Sequence, residues 1–196
     1  GLEEDRQGLR PVSGLLESWY VGALFEGLVS FERDGKTHAP GIAQSWTVSG
    51  DGLTYTFNLR PSLWSDGAPL TARDFVYSWR RALDPRNGGS YAEMLFHLKN
   101  GEQFHLGKVP FEEVGVRATD DATLEVTLNN PTPFFLDIAA FMTLLPVDRR
   151  CVEQWGDDWV KPGKMVNNGP YLLESWKPNY KIVLKKGLIP RFTAES

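Results

Sequence analysis

The sequence is poor in cysteine, in histidine and in long hydrophobic runs. Cys151 is the only cysteine among the 196 residues, so no disulfide can form within the chain. The most apolar stretch, residues 134–147, contains Asp137 and is shorter than the ~20 residues that a membrane-spanning helix needs. Basic residues do not outnumber acidic ones, and the net charge of −4 argues against nucleic acid as a partner.

Sequence motifs for catalysis and metal binding are missing as well. There is no G-x-S-x-G, no phosphate-binding glycine loop and no H-E-x-x-H. His97 and His105 are eight residues apart, which does not fit a metal-ligand pair on one helical turn. We therefore expect surface or capping histidines, a buried Cys151 and a turn at Asp66. The sequence predicts a protein that is not an enzyme and holds no metal or cofactor.

The clearest structural signal is a helix over residues 70–85. Thr71 and Asp74 have the spacing of a capping box, and the apolar residues that follow recur at helical spacing. Pro85 ends the pattern. Trp79 lies on the apolar stripe, so core packing is favoured over a stacking surface for this residue, although aromatic residues make up 12% of the chain.

Strand patterns flank this helix. Tyr55, Phe57 and Leu59 alternate with polar residues, which is typical of a half-buried strand. Residues 114–118 and 124–128 alternate around a short acidic turn, which predicts a hairpin. Further helices are expected near 91–99, 134–141 and 149–155, and further strands near 171–176 and 181–185. The fold class predicted is mixed α/β (α+β), since strands and helices do not alternate strictly.

Several segments, in order, resemble the extracytoplasmic oligopeptide-binding proteins of ABC importers, which are family 5 solute-binding proteins. The segments are 24–28 (LFEGL), 40–46 (PGIAQSW), 51–60 (DGLTYTFNLR), 64–81 (WSDGAPLTARDFVYSWRR), 120–128 (DDATLEVTL) and 168–171 (NGPY). The resemblance extends over about residues 14–186. Within the family, the oligopeptide-binding branch is the most similar, notably through 77–81 and 90–92.

The resemblance implies a type II periplasmic-binding-protein fold and the non-catalytic capture of extended peptides between two lobes. A bound peptide would pair its backbone as an added strand, and the lobes would close by a hinge motion. The implied partners are peptides and the permease subunits of an ABC transporter. The implied location is the periplasm or the outer face of the cell membrane, although the first residues do not form a signal sequence.

Two parts of the site follow from the resemblance. Ser13, Gly14 and Leu15 match the segment whose backbone pairs with the peptide. Tyr91 matches a tyrosine that lines the cleft, although a packing aromatic at the start of a helix is the alternative. The segment Asn167–Asn168–Gly169 matches the crossover back into the first domain, and these three residues are hinge candidates.

The resemblance also predicts a domain organisation. Residues 1–25 would be a partial first-lobe segment, 26–165 the small inserted domain of that lobe, and 166–196 the crossover with partial first-lobe strands. The sequence departs from the family after Lys186, so a truncated form without the second lobe is expected, with weak peptide binding. The alternatives are a docking or structural module without ligand, or a family member that binds nickel, haem, a cell-wall peptide or a sugar.

Overall fold

The fold was analysed in a computed structural model that describes residues 15–32, 34–87, 91–177 and 181–187. The α-helices in these ranges are α1 (Leu15–Leu24), α2 (Ala72–Leu83), α3 (Gly101–His105), α4 (Phe135–Ala139) and α5 (Arg149–Trp155). The strands are β1 (Val29–Phe31), β2 (His38–Pro40), β3 (Ala43–Val48), β4 (Thr54–Leu59), β5 (Ser62–Leu63), β6 (Pro69–Leu70), β7 (Val116–Ala118), β8 (Thr123–Thr127), β9 (Tyr171–Lys177) and β10 (Lys181–Lys186).

A four-stranded antiparallel sheet in the order β3-β4-β8-β7 forms the centre of the fold. The predicted alternation along β4 is confirmed, because Tyr55, Phe57 and Leu59 are buried while the residues between them are not. Phe57 lies opposite Leu124 of β8. The predicted hairpin is β7–β8, and its turn is closed by the Asp120 carboxylate, which accepts a hydrogen bond from the Ala122 N–H at 2.8 Å.

Helix α2 packs on this sheet and confirms the clearest sequence prediction. The capping box between Thr71 and Asp74 is present, and the Asp74 carboxylate accepts from the Thr71 N–H at 2.7 Å. Trp79 is fully buried, and its indole N–H donates to the Leu144 carbonyl at 2.9 Å. The apolar stripe of the helix therefore faces the core, as the spacing predicted.

The three other predicted helices differ in how well they agree with the structure. Helix α5 covers the predicted 149–155, whereas α4 is shorter than the predicted 134–141. The predicted helix at 91–99 is a 3-10 helix over Ala92–His97. It ends because Leu98 forms a β-bridge with Leu128, and because the Asn129 side-chain amide binds the Phe96 and Leu98 carbonyls.

Helix α1 and the β1–β2 hairpin were not predicted. The sequence of α1, LLESWYVGAL, is apolar on nearly every side and has no amphipathic period. The β1–β2 turn did carry a signal, an Asp34-Gly35 pair between short apolar stretches. The Asp34 carboxylate accepts from the Thr37 hydroxyl at 2.6 Å and from the N–H groups of Thr37 and Lys36, both at 2.8 Å. These bonds, the hydroxyl bond first, lower the pKa of Asp34 to about 2.

The predicted strands at the end of the chain form a separate two-stranded sheet, β9–β10. This hairpin follows the buried segment Asn167–Asn168 and packs beside α1. Among the described residues, no helix combines the length and apolarity needed to cross a membrane.

Candidate functional site

Tyr91 occupies an unusual backbone position. It immediately precedes the 3-10 helix and has φ 70° and ψ 20°, the left-handed region. Among the described non-glycine residues, only Tyr91 and Asn100 have a positive φ. A left-handed conformation costs an L-residue about 1–2 kcal/mol, and such strain is often found at functional sites. The Tyr91 carbonyl accepts a hydrogen bond from the Met94 N–H at 3.1 Å.

The Tyr91 ring contacts Phe141. The two ring centroids are 5.7 Å apart and the planes meet at 74°, the edge-on geometry that aromatic pairs prefer. Both side chains are half-exposed, and neither belongs to the described side chains that pack against the core. Phe141 was not predicted as a site residue, and its only sequence signal was its place at the end of the predicted helix 134–141.

The structure describes the predicted backbone-pairing segment only in part. Ser13 and Gly14 lie outside the described residues. Leu15 is the first residue of α1, so its backbone is helical. A role for Ser13, Gly14 and Leu15 in peptide binding stays a prediction.

Asn168 connects two segments that lie far apart in the sequence. Its side-chain oxygen accepts from the Glu26 N–H at 3.1 Å, and its side-chain N–H donates to the Glu26 carbonyl at 2.8 Å. One side chain thus satisfies both backbone groups of a residue 142 positions earlier, at a site where Asn168 is buried. Sequence reasoning selected Asn168 but not Glu26.

The neighbours of Asn168 are equally constrained. Asn167 is fully buried, and its backbone N–H donates to the Ser65 hydroxyl at 3.1 Å. Its side-chain N–H donates to the Tyr171 carbonyl at 3.0 Å, while its side-chain oxygen is buried without a partner among the described residues. At Gly169, a Cβ atom would lie 2.4 Å from the Leu24 carbonyl carbon, so no other residue fits without a backbone shift. These contacts define a closely packed crossover in this conformation, and a hinge role for the three residues remains a prediction.

An ion pair extends this crossover. The Glu26 carboxylate accepts from the Arg60 guanidinium at 2.8 Å, and Arg60 also donates to the Gly41 carbonyl at 3.0 Å. A Cβ at Gly41 would lie 2.5 Å from the Gly27 carbonyl oxygen. The motifs LFEGL and PGIAQSW therefore meet backbone to backbone, which explains the glycine at position 41.

The polar residues considered for catalysis have structural partners. The His105 Nδ1–H donates to the Leu83 carbonyl at 2.8 Å, at the end of α2, as expected for a capping histidine. Cys151 is buried, and burial raises the pKa of its thiol. The Asp66 carboxylate accepts from the Ala68 N–H at 3.0 Å and closes a turn, as predicted. Within the described ranges, no three His, Cys, Asp or Glu residues cluster to hold a metal.

A surface groove of about 330 Å³ lies beside β7. Lys99, Glu112, Arg117 and Glu125 contribute charges of both signs to its lining. None of the predicted site residues contributes to this groove.

Comparison with known proteins supports the family resemblance. Residues 37–187 match the family model of the bacterial extracellular solute-binding proteins, family 5 Middle. The periplasmic oligopeptide-binding protein OppA of Escherichia coli is 42% identical over 185 residues, which are 92% of this chain and 34% of that protein. The probable deoxycholate-binding periplasmic protein YgiS of E. coli is 44% identical over 166 residues, 83% of this chain and 31% of that protein.

The fold is similar to that of solved relatives. The crystal structure of Haemophilus influenzae OppA in complex with the peptide RPPGFSPFR has a TM-score of 0.85 and 39% identity, over 89% of this chain and 34% of that chain. The predicted mixed α/β fold of the periplasmic-binding-protein type is thereby confirmed. The chain spans about a third of the length of the relatives it matches.

Proposed function

Because the chain belongs to family 5 of the bacterial extracellular solute-binding proteins, we propose that it is part of a binding protein that captures extended peptides for an ABC-type importer. The observation that carries this proposal is Tyr91. The residue that the family resemblance assigns to the peptide cleft is half-exposed and has a left-handed backbone. Relatives named as oligopeptide-binding proteins, one of them solved with a peptide, support the same ligand class.

The crossover supports a division of the chain into three parts. Asn168 binds Glu26, and Gly169 packs on Leu24. The segment 26–165 therefore begins and ends at the same place in the fold. Residues 26–165 would then be a small inserted domain, with 1–25 and 166–196 as parts of the first lobe. Asn167, Asn168 and Gly169 are proposed as the point about which these parts adjust when a peptide binds.

Partners and location follow from the same proposal. The protein would deliver peptides to the permease subunits of its transporter, at the periplasmic or outer side of the cell membrane. The relatives' names include the word periplasmic, which supports this location. Binding without chemistry requires no nucleophile, metal or cofactor, and we propose that the protein is not an enzyme.

Other ligands within the family are the main competitors. One relative is named as a probable deoxycholate-binding protein and another as a murein peptide-binding protein. Nickel and haem are further alternatives, and a docking module without ligand is the alternative from a different class.

Mass spectrometry of the native protein distinguishes these possibilities. The whole binding protein of which this chain is proposed to be a part would be purified from its own cells without denaturation, and bound molecules would be released with acid and identified. We expect short peptides of mixed sequence. A single bile acid, haem or nickel would contradict the proposal, and the absence of any ligand together with the absence of permease genes beside its gene would favour the docking module.

A further inference from the structure

Tyr91 and Phe141 form what we call the aromatic corner. Every other contacting pair of Phe, Tyr or Trp rings in the described part of the chain includes at least one buried ring. In the aromatic corner both rings are half-exposed, and neither packs on the core. Core packing therefore does not account for this pair, and half-exposed aromatic pairs are typical of surfaces that contact a ligand.

Hydrogen bonds on both sides of Phe141 hold its backbone in place. The Phe141 N–H donates to the Ile138 carbonyl at 2.9 Å, and the Phe141 carbonyl accepts from the Leu144 N–H at 3.0 Å. Leu144 is buried, and its own carbonyl accepts from the indole N–H of Trp79 in the core. A site anchored in this way is preorganised, so a ligand need not order it.

The geometry of the corner determines which ligand group it fits. Two rings at 74° present two apolar walls that meet at an edge, and the Tyr91 hydroxyl is the only polar side-chain atom on them. Such walls contact a flat ring or a large aliphatic group on two sides. The negative faces of aromatic rings disfavour a carboxylate.

On the basis of the proposed peptide-binding function, we infer that Phe141 determines specificity together with Tyr91, and that the aromatic corner selects peptides with an aromatic or large aliphatic side chain at one position. Tyr91 alone would offer one wall and little discrimination. The Phe141 ring adds the second wall.

NMR titration of the 15N-labelled 196-residue chain tests this inference, because chemical-shift changes detect millimolar binding. The probes are Ala-Ala-Ala, its three isomers with one Phe, and Ala-Lys-Ala. We expect one Phe isomer to bind roughly fivefold more tightly than Ala-Ala-Ala. Phe141→Ala and the more conservative Phe141→Leu should each reduce this ratio to less than about twofold, with spectra that otherwise remain those of the folded protein.

Phe134→Ala is the matched control. Phe134 is 51% exposed and lies in the same stretch, but its ring contacts His97 rather than Tyr91. This variant should keep the full preference for Phe. Three results would contradict the inference about the aromatic corner and leave the proposed function intact. They are equal binding of all peptides, tighter binding of Ala-Lys-Ala, and a preference for Phe that survives loss of the Phe141 ring. No shift with any peptide would contradict the aromatic corner, and the absence of peptides from the native protein as well would contradict the proposed function itself.

Discussion

The central sheet with α2 and the β9–β10 hairpin are stabilised in different ways. The sheet and α2 bury their large side chains completely, among them Trp79, Phe75 and Phe57. No described side chain of β9 or β10 is buried, and Tyr171 and Trp176 are exposed. Burial of apolar area is the main stabilising term in folding. The difference indicates that the central sheet and α2 supply most of the stability, whereas the hairpin depends on backbone pairing and on the crossover.

The crossover itself is polar. Asn168, which precedes the hairpin, binds Glu26, and Glu26 forms an ion pair with Arg60 next to β4, at a place where glycines allow backbones to touch. Buried polar contacts are costly when one partner is lost, because the other is left without a hydrogen bond. The two regions should therefore respond differently to substitution.

The largest effect is expected in the core. Trp79→Ala removes a fully buried ring and leaves a cavity, and should reduce the free energy of unfolding by about 3–5 kcal/mol in urea denaturation. Trp176→Ala, on the exposed hairpin, is the matched control and should change it by less than about 0.5 kcal/mol. Equal changes for the two tryptophans would show that the hairpin contributes as much stability as the core.

A smaller effect is expected at the crossover. Asn168→Ala leaves the half-buried N–H and carbonyl of Glu26 unpaired and should cost about 2 kcal/mol. Hydrogen exchange should then rise in β9 and β10 more than in α2, because the crossover holds the hairpin. Asn58→Ala, which loses one bond of 3.2 Å to Ser45 on the sheet surface, provides the control. Faster exchange in α2 than in the hairpin would show that the crossover supports the core instead.

The N-terminal cap of α2 should contribute less to the free energy of unfolding than the crossover does. Thr71→Ala removes the hydroxyl partner of Asp74 and should cost about 1 kcal/mol, measured by the same denaturation. A negligible shift would mean that Asp74 alone holds the first turn.

Asp74 also predicts a pH dependence. Burial raises the pKa of Asp74 above the ordinary aspartate value of 3.8, against the hydrogen bonds from Thr71. The unfolded chain thus loses this proton first as the pH rises, and this carboxyl destabilises the fold progressively from about pH 3.8 upward. Asp74→Asn should lack this pH-dependent loss of stability. The urea midpoint of the variant minus that of the wild type should therefore increase from pH 3 to pH 6. A constant difference between the two proteins across this range would show that Asp74 titrates normally.

The elements predicted from the sequence are those with a clear local period. Helix α2 and strand β4 each have one buried face, so spacing alone identified them. Helix α1 is apolar on most sides, and the segment after Tyr91 is shaped by contacts with Leu128 and Asn129. Local patterns do not contain such distant contacts.

The candidate site shows the same limit. The family resemblance selected Tyr91, Asn167, Asn168 and Gly169, because these residues lie in recognisable motifs. Phe141 could not be selected, since its contact with Tyr91 spans 50 positions of the chain and no motif marks it. Glu26 lies in a motif, but its partner Asn168 becomes evident only in the fold.

We propose that Tyr91 and Phe141 form one part of a peptide site. The family resemblance implies that two lobes share such a site. Calorimetric titration of the 196-residue chain with mixed tri- to pentapeptides tests it most directly. A micromolar clamp has about −8 kcal/mol to distribute over its contacts, and the loss of translational and rotational freedom on binding hardly falls when contacts are fewer. We predict a Kd of about 1 mM or weaker. Micromolar binding that Tyr91→Ala abolishes would contradict the account, because this chain would then hold a complete site.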